Sequence, residues 1–285
     1  VSMSDLLPVG VENEIRALVA DCATPQELIQ KTMNMPQVDC PVSHTFVNGN
    51  YIRELRVKAG TFLIGHYQKT QHINMFVKGK VAMYNPDGTF KILTAPMYFI
   101  GEPGRKVGFV IEDMVWINVY ATKETDVDKI EDEFLDKSIL DDISVEKIKV
   151  DHMVDHISYQ NVLEKLGFTE EQVQAMTNVD NVIYNHGQYG WKAAPSDIHG
   201  TGIVATMDFG VGEVIGHFRI GDRRTPLGRF TNHSATPNAK AALGTATTDM
   251  VLVAIKPIKG CKGGQNGDEI TIDYEHTFKL ATEVP

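Results

Sequence analysis

The sequence predicts a mainly β protein in which two β-rich domains are joined by an acidic helical connector, and three changes of texture predict it. Residues 38–121 hold short runs of β-branched and aromatic residues separated by Gly, Asn and Pro. Residues 122–180 turn acidic, with apolar residues at helical spacing, and from 181 to 285 β-rich runs return. A helical segment, 1–37, precedes them.

In the first segment Ile15, Leu18 and Val19, then Leu28, Ile29 and Met33, fall at helical spacings, and Thr24-Pro25 ahead of Glu27 reads as a helix start. Two short helices are expected. The β domain follows as YIRELRV, TFLIGHY, INMFVKGKVAMYN, KILTAPMYFI and VGFVIEDMVWINVYA, with VNGN, KAG, NPDG and EPG as turns. Short strands at regular spacing indicate an all-β sandwich or barrel. Asn85-Pro86-Asp87-Gly88 has tight-turn chemistry. In the connector Val127, Ile130, Phe134 and Ile139 form one apolar stripe, a helix near 158–166 ends at Gly167, and Thr169-x-x-Gln172 matches a capping box. NVLEKLGFTEEQVQAM imitates a DNA-binding helix-turn-helix, but Glu164, Glu170 and Glu171 face a single Lys165, the wrong sign for a DNA reader.

The 285 residues are 42% apolar and 22% charged, enough to build two hydrophobic cores. A formal net charge of −10 excludes a general phosphate-binding surface, so nucleic acid is not an expected partner. There is no run of 18 apolar residues and no basic segment leading into an apolar core near the start, so a soluble, unexported protein with no membrane partner is expected. Cys22, Cys40 and Cys261 are odd in number and lack a C-x-x-C spacing, which suits reduced structural thiols in a cytoplasmic setting.

Three segments of the last domain carry the chemistry: DIHGTGIVATMDFGVGEVIGHF at 197–218, GRFTNHSATPNA at 228–239 and GDEITIDYEHTF at 267–278. Taken alone, each has a bland reading. The middle one is a turn-rich loop with an N-x-S acceptor at Asn232, HGTG is a turn, and GDEITIDY is a half-buried strand.

Together and in this order they resemble the SET domain, the fold of S-adenosylmethionine-dependent protein lysine methyltransferases, over residues 181–280. The matching elements are Gly200-Thr201-Gly202, Gly212-Glu213-Val214-Ile215, Arg229 to Asn238, and Gly267 to Tyr274. The resemblance implies a β-fold in which the Asn-His-Ser and Asp-Tyr segments are brought together by pseudoknot-like threading. It implies an S-adenosylmethionine pocket formed by Gly200, Thr201, Gly202, Arg229, Phe230, Asn232 and His233, with Phe278 closing over the adenine. Asn232 and His233 would hold the cofactor's amine and adenine through main-chain and amide hydrogen bonds. Tyr274 takes the place of the family's essential phenol, and the partner is a protein bearing a lysine.

Such a site must align and desolvate the reactants, because the sulfonium already activates the methyl group. A free lysine with a pKa near 10.4 is neutral in only about one molecule in 2,500 at pH 7, so a dry channel that disfavours the ammonium matters. The chain departs from the family pattern in two places. His217-Phe218 stands where many relatives carry a Glu-Tyr pair, removing a second phenol, and only 221–228 separates that strand from Arg229 where relatives insert a long segment. This minimal form is nearest in style to viral and bacterial examples.

In the first β domain Gly60, His66, Gln68, His72 and Gly79 resemble the first cupin motif, and Glu102-Pro103-Gly104 marks the place of the second. The resemblance implies a cupin-like jelly roll able to oligomerise. With only His66 and His72 as credible ligands, a bound metal is not expected. The competing expectation to a methyltransferase is a non-catalytic assembly protein, of a bacteriophage virion for example, that keeps the SET domain as a packing module; in a viral source the compartment would be the host cytoplasm.

Overall fold

The two longest β-rich runs of the first β domain, INMFVKGKVAMYN and VGFVIEDMVWINVYA, become the two longest strands. In the computed structural model, residues 10–20, 22, 24–85, 89–137, 150–178, 187–245 and 249–283 are described. The chain forms two units: Val1–Val42, Asn48–Glu124 and Lys129–Val145 make the first; Ser43–Val47, Thr125–Asp128 and Glu146–Pro285 make the second. The sequence reading put 43–47 with the first β domain and 125–128 in the connector. β1 (Val42–Val47) pairs antiparallel with β10 (Gly187–Tyr189).

Unit 1 opens with α1 (Val11–Ala20) and α2 (Pro25–Met33). Thr24 caps α2 by accepting a hydrogen bond from the Glu27 N–H at 3.2 Å, and Pro25 occupies its first turn, where a missing N–H costs nothing. Then come β2 (Asn50–Val57), β3 (Phe62–Ile64), β4 (Tyr67–Gln68), β5 (His72–Tyr84), β6 (Phe90–Thr94), β7 (Met97–Gly101) and β8 (Val107–Ala121). The sheet runs β2-β8-β5-β6, with β3 on β8 and β7 on β5.

Two expected strands are each split in two. TFLIGHY breaks at Gly65 and His66 into β3 and β4, and KILTAPMYFI breaks at Ala95-Pro96 into β6 and β7. Proline has no N–H to give a ladder. The gap lies opposite Val77–Gly79, since Thr94 faces Lys80 and Met97 faces Phe76. There the β5–β8 register slips and Gly79 takes φ +95°; a Cβ at Gly79 would lie 2.8 Å from the Glu112 carbonyl oxygen. In the expected tight turn, Asn85 donates its N–H to the Thr89 carbonyl at 2.9 Å, while Pro86 to Gly88 lie outside the described residues.

Val57, Phe76, Val81, Leu93, Val110, Met114 and Trp116 form the unit 1 core. A polar layer adjoins it: the Asn74 Oδ1 accepts from the Trp116 indole and the Asn118 amide, both at 2.9 Å, and the Tyr120 hydroxyl donates to Gln68 at 2.9 Å. Helix α3 (Val127–Phe134) leads into β9 (Leu135–Asp136), which pairs with β4. Val127, Ile130 and Phe134 lie on it as the stripe predicts; Ile139 lies outside the described residues. The sequence shows no sign of the two-residue strand β9, because so short a strand has no alternation to detect.

Unit 2 continues with α4 (Val150–Leu166) and α5 (Glu170–Asn178), joined by the expected capping box: the Thr169 N–H donates to Gln172 Oε1 at 2.8 Å and the Gln172 N–H to Thr169 Oγ1 at 3.2 Å. After β10 come β11 (Trp191–Pro195), β12 (Thr201–Ala205), β13 (Val214–Ile220), β14 (Arg223–Arg224), α6 (Pro226–Phe230), β15 (Asn232–His233), β16 (Ala239–Leu243), β17 (Met250–Ala254), β18 (Glu269–Ile272) and α7 (Tyr274–Glu283). They build two four-stranded sheets, β11-β12-β18-β15 and β14-β13-β17-β16. Ile203, Leu227, Leu252, Ile258 and Ile270 are fully buried in the core of this unit. All three cysteines are free thiols. Among the described residues no helix is long and apolar enough to cross a membrane.

Candidate functional site

The Asn-His-Ser and Asp-Tyr segments meet. β15 pairs parallel with β18, Asn232 opposite Thr271 and His233 opposite Ile272, and the Ser234 N–H donates to the Ile272 carbonyl at 3.0 Å. Asn238 locks the junction by donating its amide to the Glu269 carbonyl at 2.8 Å and accepting from the Thr271 N–H at 2.9 Å. Asn232, His233 and Ser234 are buried, so the segment is neither a surface loop nor an accessible glycosylation acceptor.

Asn232 is held firmly. Its Nδ2 donates to Glu269 Oε1 at 2.9 Å and to Ser196 Oγ and the His199 carbonyl, both at 3.0 Å, with the Thr201 carbonyl further off at 3.5 Å. Ser196 also donates to the Glu269 carboxylate at 2.8 Å and accepts from the Ile198 N–H at 2.9 Å, so the loop ahead of β12 is pinned to β15 and β18. Asn232→Ala is expected to take one donor from each of Ser196 and Glu269 and to cost unit 2 about 2 kcal/mol, read by urea unfolding.

The two glycines of HGTG have different roles. Gly200 has φ +52°, and a Cβ there would meet nothing within 4 Å, so open space lies over its backbone. At Gly202 a Cβ would overlap the Glu269 carboxylate and lie 2.9 Å from the Ser196 Cβ. The missing side chain at Gly202 therefore makes room for the protein's own carboxylate. Thr201, between them, is exposed.

His233 and Tyr274 are hydrogen-bonded to each other. The Tyr274 N–H donates to His233 Nδ1 at 3.2 Å, so the neutral ring carries its proton on Nε2, which donates to Ser158 Oγ at 2.8 Å. The two rings lie 5.3 Å apart. The Tyr274 hydroxyl donates to the Thr231 carbonyl at 3.1 Å. Burial pushes this phenol up to about 12; Arg224 and Arg229 pull it back, while Glu170 and Glu269 add to the rise.

Helix α4 brings a side chain that the motifs do not contain. Tyr159 stands edge-on to Tyr274, with ring centroids 5.8 Å apart. Burial first, and then its hydrogen bond to the Glu170 carboxylate, raise the Tyr159 phenol above its ordinary value. A second phenol therefore stands beside Tyr274, from a position about sixty residues before His217-Phe218; Phe218 itself is a core residue. Sequence reasoning missed Tyr159 because nothing in SYQNVLEKL ties it to β15. Lys165 strengthens the same docking by donating to Glu275 at 2.6 Å, and together with Lys279 it draws that carboxyl down to about 2.

The remaining named residues spread outward. Phe278 is partly exposed and meets Phe168, beyond the end of α4, at 6.0 Å. The Arg229 guanidinium lies 5.3 Å from the centre of the Phe230 ring. Phe230 lines a recess with Phe46, Tyr189 and Trp191 whose volume is about 30 Å³, room for a couple of waters and far too small for a nucleoside.

In unit 1, His66 lies between β3 and β4 and His72 opens β5. His72 Nδ1 lies 3.1 Å from the Thr70 carbonyl and its ring stacks on Tyr120 at 5.4 Å. His66 has its pKa lowered to about 4, by burial first and then by Arg53. Among the described residues no group of three or more His, Cys, Asp or Glu is gathered as for a metal. An unfolded histidine titrates near 6.5, so between about 4 and 6.5 the unfolded chain binds the extra proton. His66 thus contributes stability that is complete above pH 6.5 and is lost as the pH falls towards 4. Unit 1 is expected to melt at lower temperature across that window, and His66→Gln to flatten the dependence; an unchanged slope would remove His66 as its source.

No family model matches the chain, and no curated protein matches it. Among solved structures it is similar to a cupin-2 domain protein from Shewanella frigidimarina, at 12% identity over 32% of this chain and 89% of that one, with a TM-score of 0.25. A cupin domain from Bordetella pertussis matches at 13% identity over 32% of this chain and all of that one, TM-score 0.26. A cupin family protein with a double-stranded β-helix fold from Methanocaldococcus jannaschii matches at 14% over 29% and 80%, TM-score 0.26. With TM-scores this low, the mainly β character of the chain rests on its own strand pairing rather than on these likenesses.

Proposed function

We propose that unit 2 is an S-adenosylmethionine-dependent methyltransferase acting on a lysine side chain of a protein. The observation that carries this reading is the parallel pairing of Asn232–His233 with Thr271–Ile272, which brings the Asn-His-Ser and Asp-Tyr segments together from positions about forty residues apart and sets His233 against the Tyr274 ring. The open face over Gly200 fits close approach of the cofactor's methionine part. Because the Asn232 Nδ2 is committed to Ser196, His199 and Glu269, any bond from Asn232 to the cofactor uses Oδ1 or the main chain.

S-adenosylmethionine, when bound, supplies a methyl group already activated on a sulfonium. The chain's own part is to orient the amine and to keep water out. Tyr274, half-buried and with its proton retained by a raised pKa, is a fixed dipole whose oxygen can accept from the amine N–H and direct the nitrogen lone pair. Burial around the two phenols also disfavours the ammonium form of the substrate.

A second reading, a non-catalytic assembly protein, is favoured by how fully the site's polar groups satisfy one another: the Asn232 amide is consumed internally and the Tyr274 hydroxyl already bonds to Thr231. Transfer of radiolabelled methyl from S-adenosylmethionine onto proteins of a lysate separates the two. Label on lysine supports the enzyme; no label with intact folding leaves the assembly role.

A further inference from the structure

We propose that the outer face of the β7–β5–β8 sheet in unit 1 is a self-association surface that holds two copies of this chain together. In β5, Asn74 and Phe76 are fully buried, while the alternate residues Ile73, Met75 and Val77 are 49%, 42% and 47% exposed. In β7 next to it, Tyr98 and Ile100 are 81% and 66% exposed. These residues sit directly opposite one another, Ile73 facing Ile100 and Met75 facing Tyr98, so they form one continuous patch. It extends onto β8, where Val119 faces Ile73 and Ile117 faces Met75, both half-buried.

The sequence carries the same message. INMFV and VWINVY are apolar at every position but Asn74 and Asn118, which face inward, the pattern of strands covered on both faces, whereas a sheet with one wet face alternates apolar and polar residues. The inner face has its cover in the Phe76 and Trp116 core. The outer face has the composition of a covered surface and is bare.

Area and charge argue for a second copy as its cover. The five exposed side chains offer roughly 600 Å² of accessible surface, at the upper end of what a monomer leaves open. With the half-buried β8 residues around them they approach the roughly 800 Å² per partner of a stable interface. Two copies of a chain with a net charge of −10 repel at most approaches, and none of these five side chains is charged. Exposed Lys78 lies at one end of the patch and exposed Glu102 at the other. Two sheets stacked face to face about a two-fold axis that lies between them, perpendicular to the strands, bring the Lys78 end of each against the Glu102 end of its partner.

The test is sedimentation velocity on the full chain over a micromolar concentration series. Wild type is expected to be a dimer. Met75→Lys with Ile100→Lys is expected to yield a folded monomer, with the dissociation constant raised by about tenfold or more and the melting temperature retained, because both positions lie outside the core. Lys78→Glu is expected to weaken the dimer, and Lys78→Glu with Glu102→Lys to restore it. A monomeric wild type, or a dimer indifferent to Met75→Lys with Ile100→Lys, overturns the proposal. Flotation of a monomeric wild type with phosphatidylcholine vesicles, lost in that double variant, would assign the face to a lipid surface instead.

Discussion

Tyr274→Phe is expected to lower kcat by a hundredfold or more, on the order of 3 kcal/mol, while the fold and the affinity for S-adenosylmethionine persist. The substitution removes one oxygen and leaves a ring already fixed between Tyr159 and His233. Its structural cost is the lost bond to the Thr231 carbonyl, about 1 kcal/mol. The backbone N–H that Tyr274 gives to His233 is untouched, so the histidine keeps its tautomer. Methyl transfer at saturating cofactor, with calorimetry on the same samples, reads both quantities. Equal turnover in wild type and variant would remove Tyr274 from the mechanism and leave Tyr159 as the phenol to examine.

Gly267→Ala is expected to destabilise unit 2 by about 3 kcal/mol or more, among the largest effects open to a single added methyl. A Cβ at Gly267 would overlap the Lys259 carbonyl and lie 2.6 Å from both the Ala205 carbonyl oxygen and the Gly260 carbonyl carbon. All three are backbone atoms, and the two oxygens are held by hydrogen bonds, the Gly267 N–H donating to the Ala205 carbonyl at 3.0 Å and the Asp268 N–H to the Lys259 carbonyl at 2.8 Å, so neither can swing aside. Gly264→Ala is the control: φ is +79° but nothing lies within 4 Å, so only the left-handed backbone cost of about 1 kcal/mol applies. The chain has two tryptophans, Trp116 in unit 1 and Trp191 in unit 2, so urea unfolding in a Trp116→Phe background reports unit 2 through Trp191.

Elements with a strong local signal were legible in the sequence. VGFVIEDMVWINVYA became β8 without a residue gained or lost, and Thr24-Pro25 and Thr169-x-x-Gln172 capped the helices they announce. Strand ends governed by a distant partner were not. KILTAPMYFI looks like one strand until β5 is seen to pair with its two halves on either side of a register slip. The same holds for the site: Asn232, His233 and Tyr274 are marked by motifs, and the structure brings them together. Ser158 and Tyr159 join them through helix packing, which leaves no periodic trace. Gly202 was assigned to the cofactor on the motif, whereas its neighbours in space are Glu269 and Ser196.

Titration calorimetry of the full chain with S-adenosylmethionine decides whether unit 2 holds this cofactor. Saturable heat at one site per chain is expected, with a raised melting temperature for the Trp191 signal of unit 2, both effects being weakened in Asn232→Ala and retained in Tyr274→Phe. No heat and no shift at millimolar cofactor, from a chain whose unit 2 unfolds cooperatively, would contradict it.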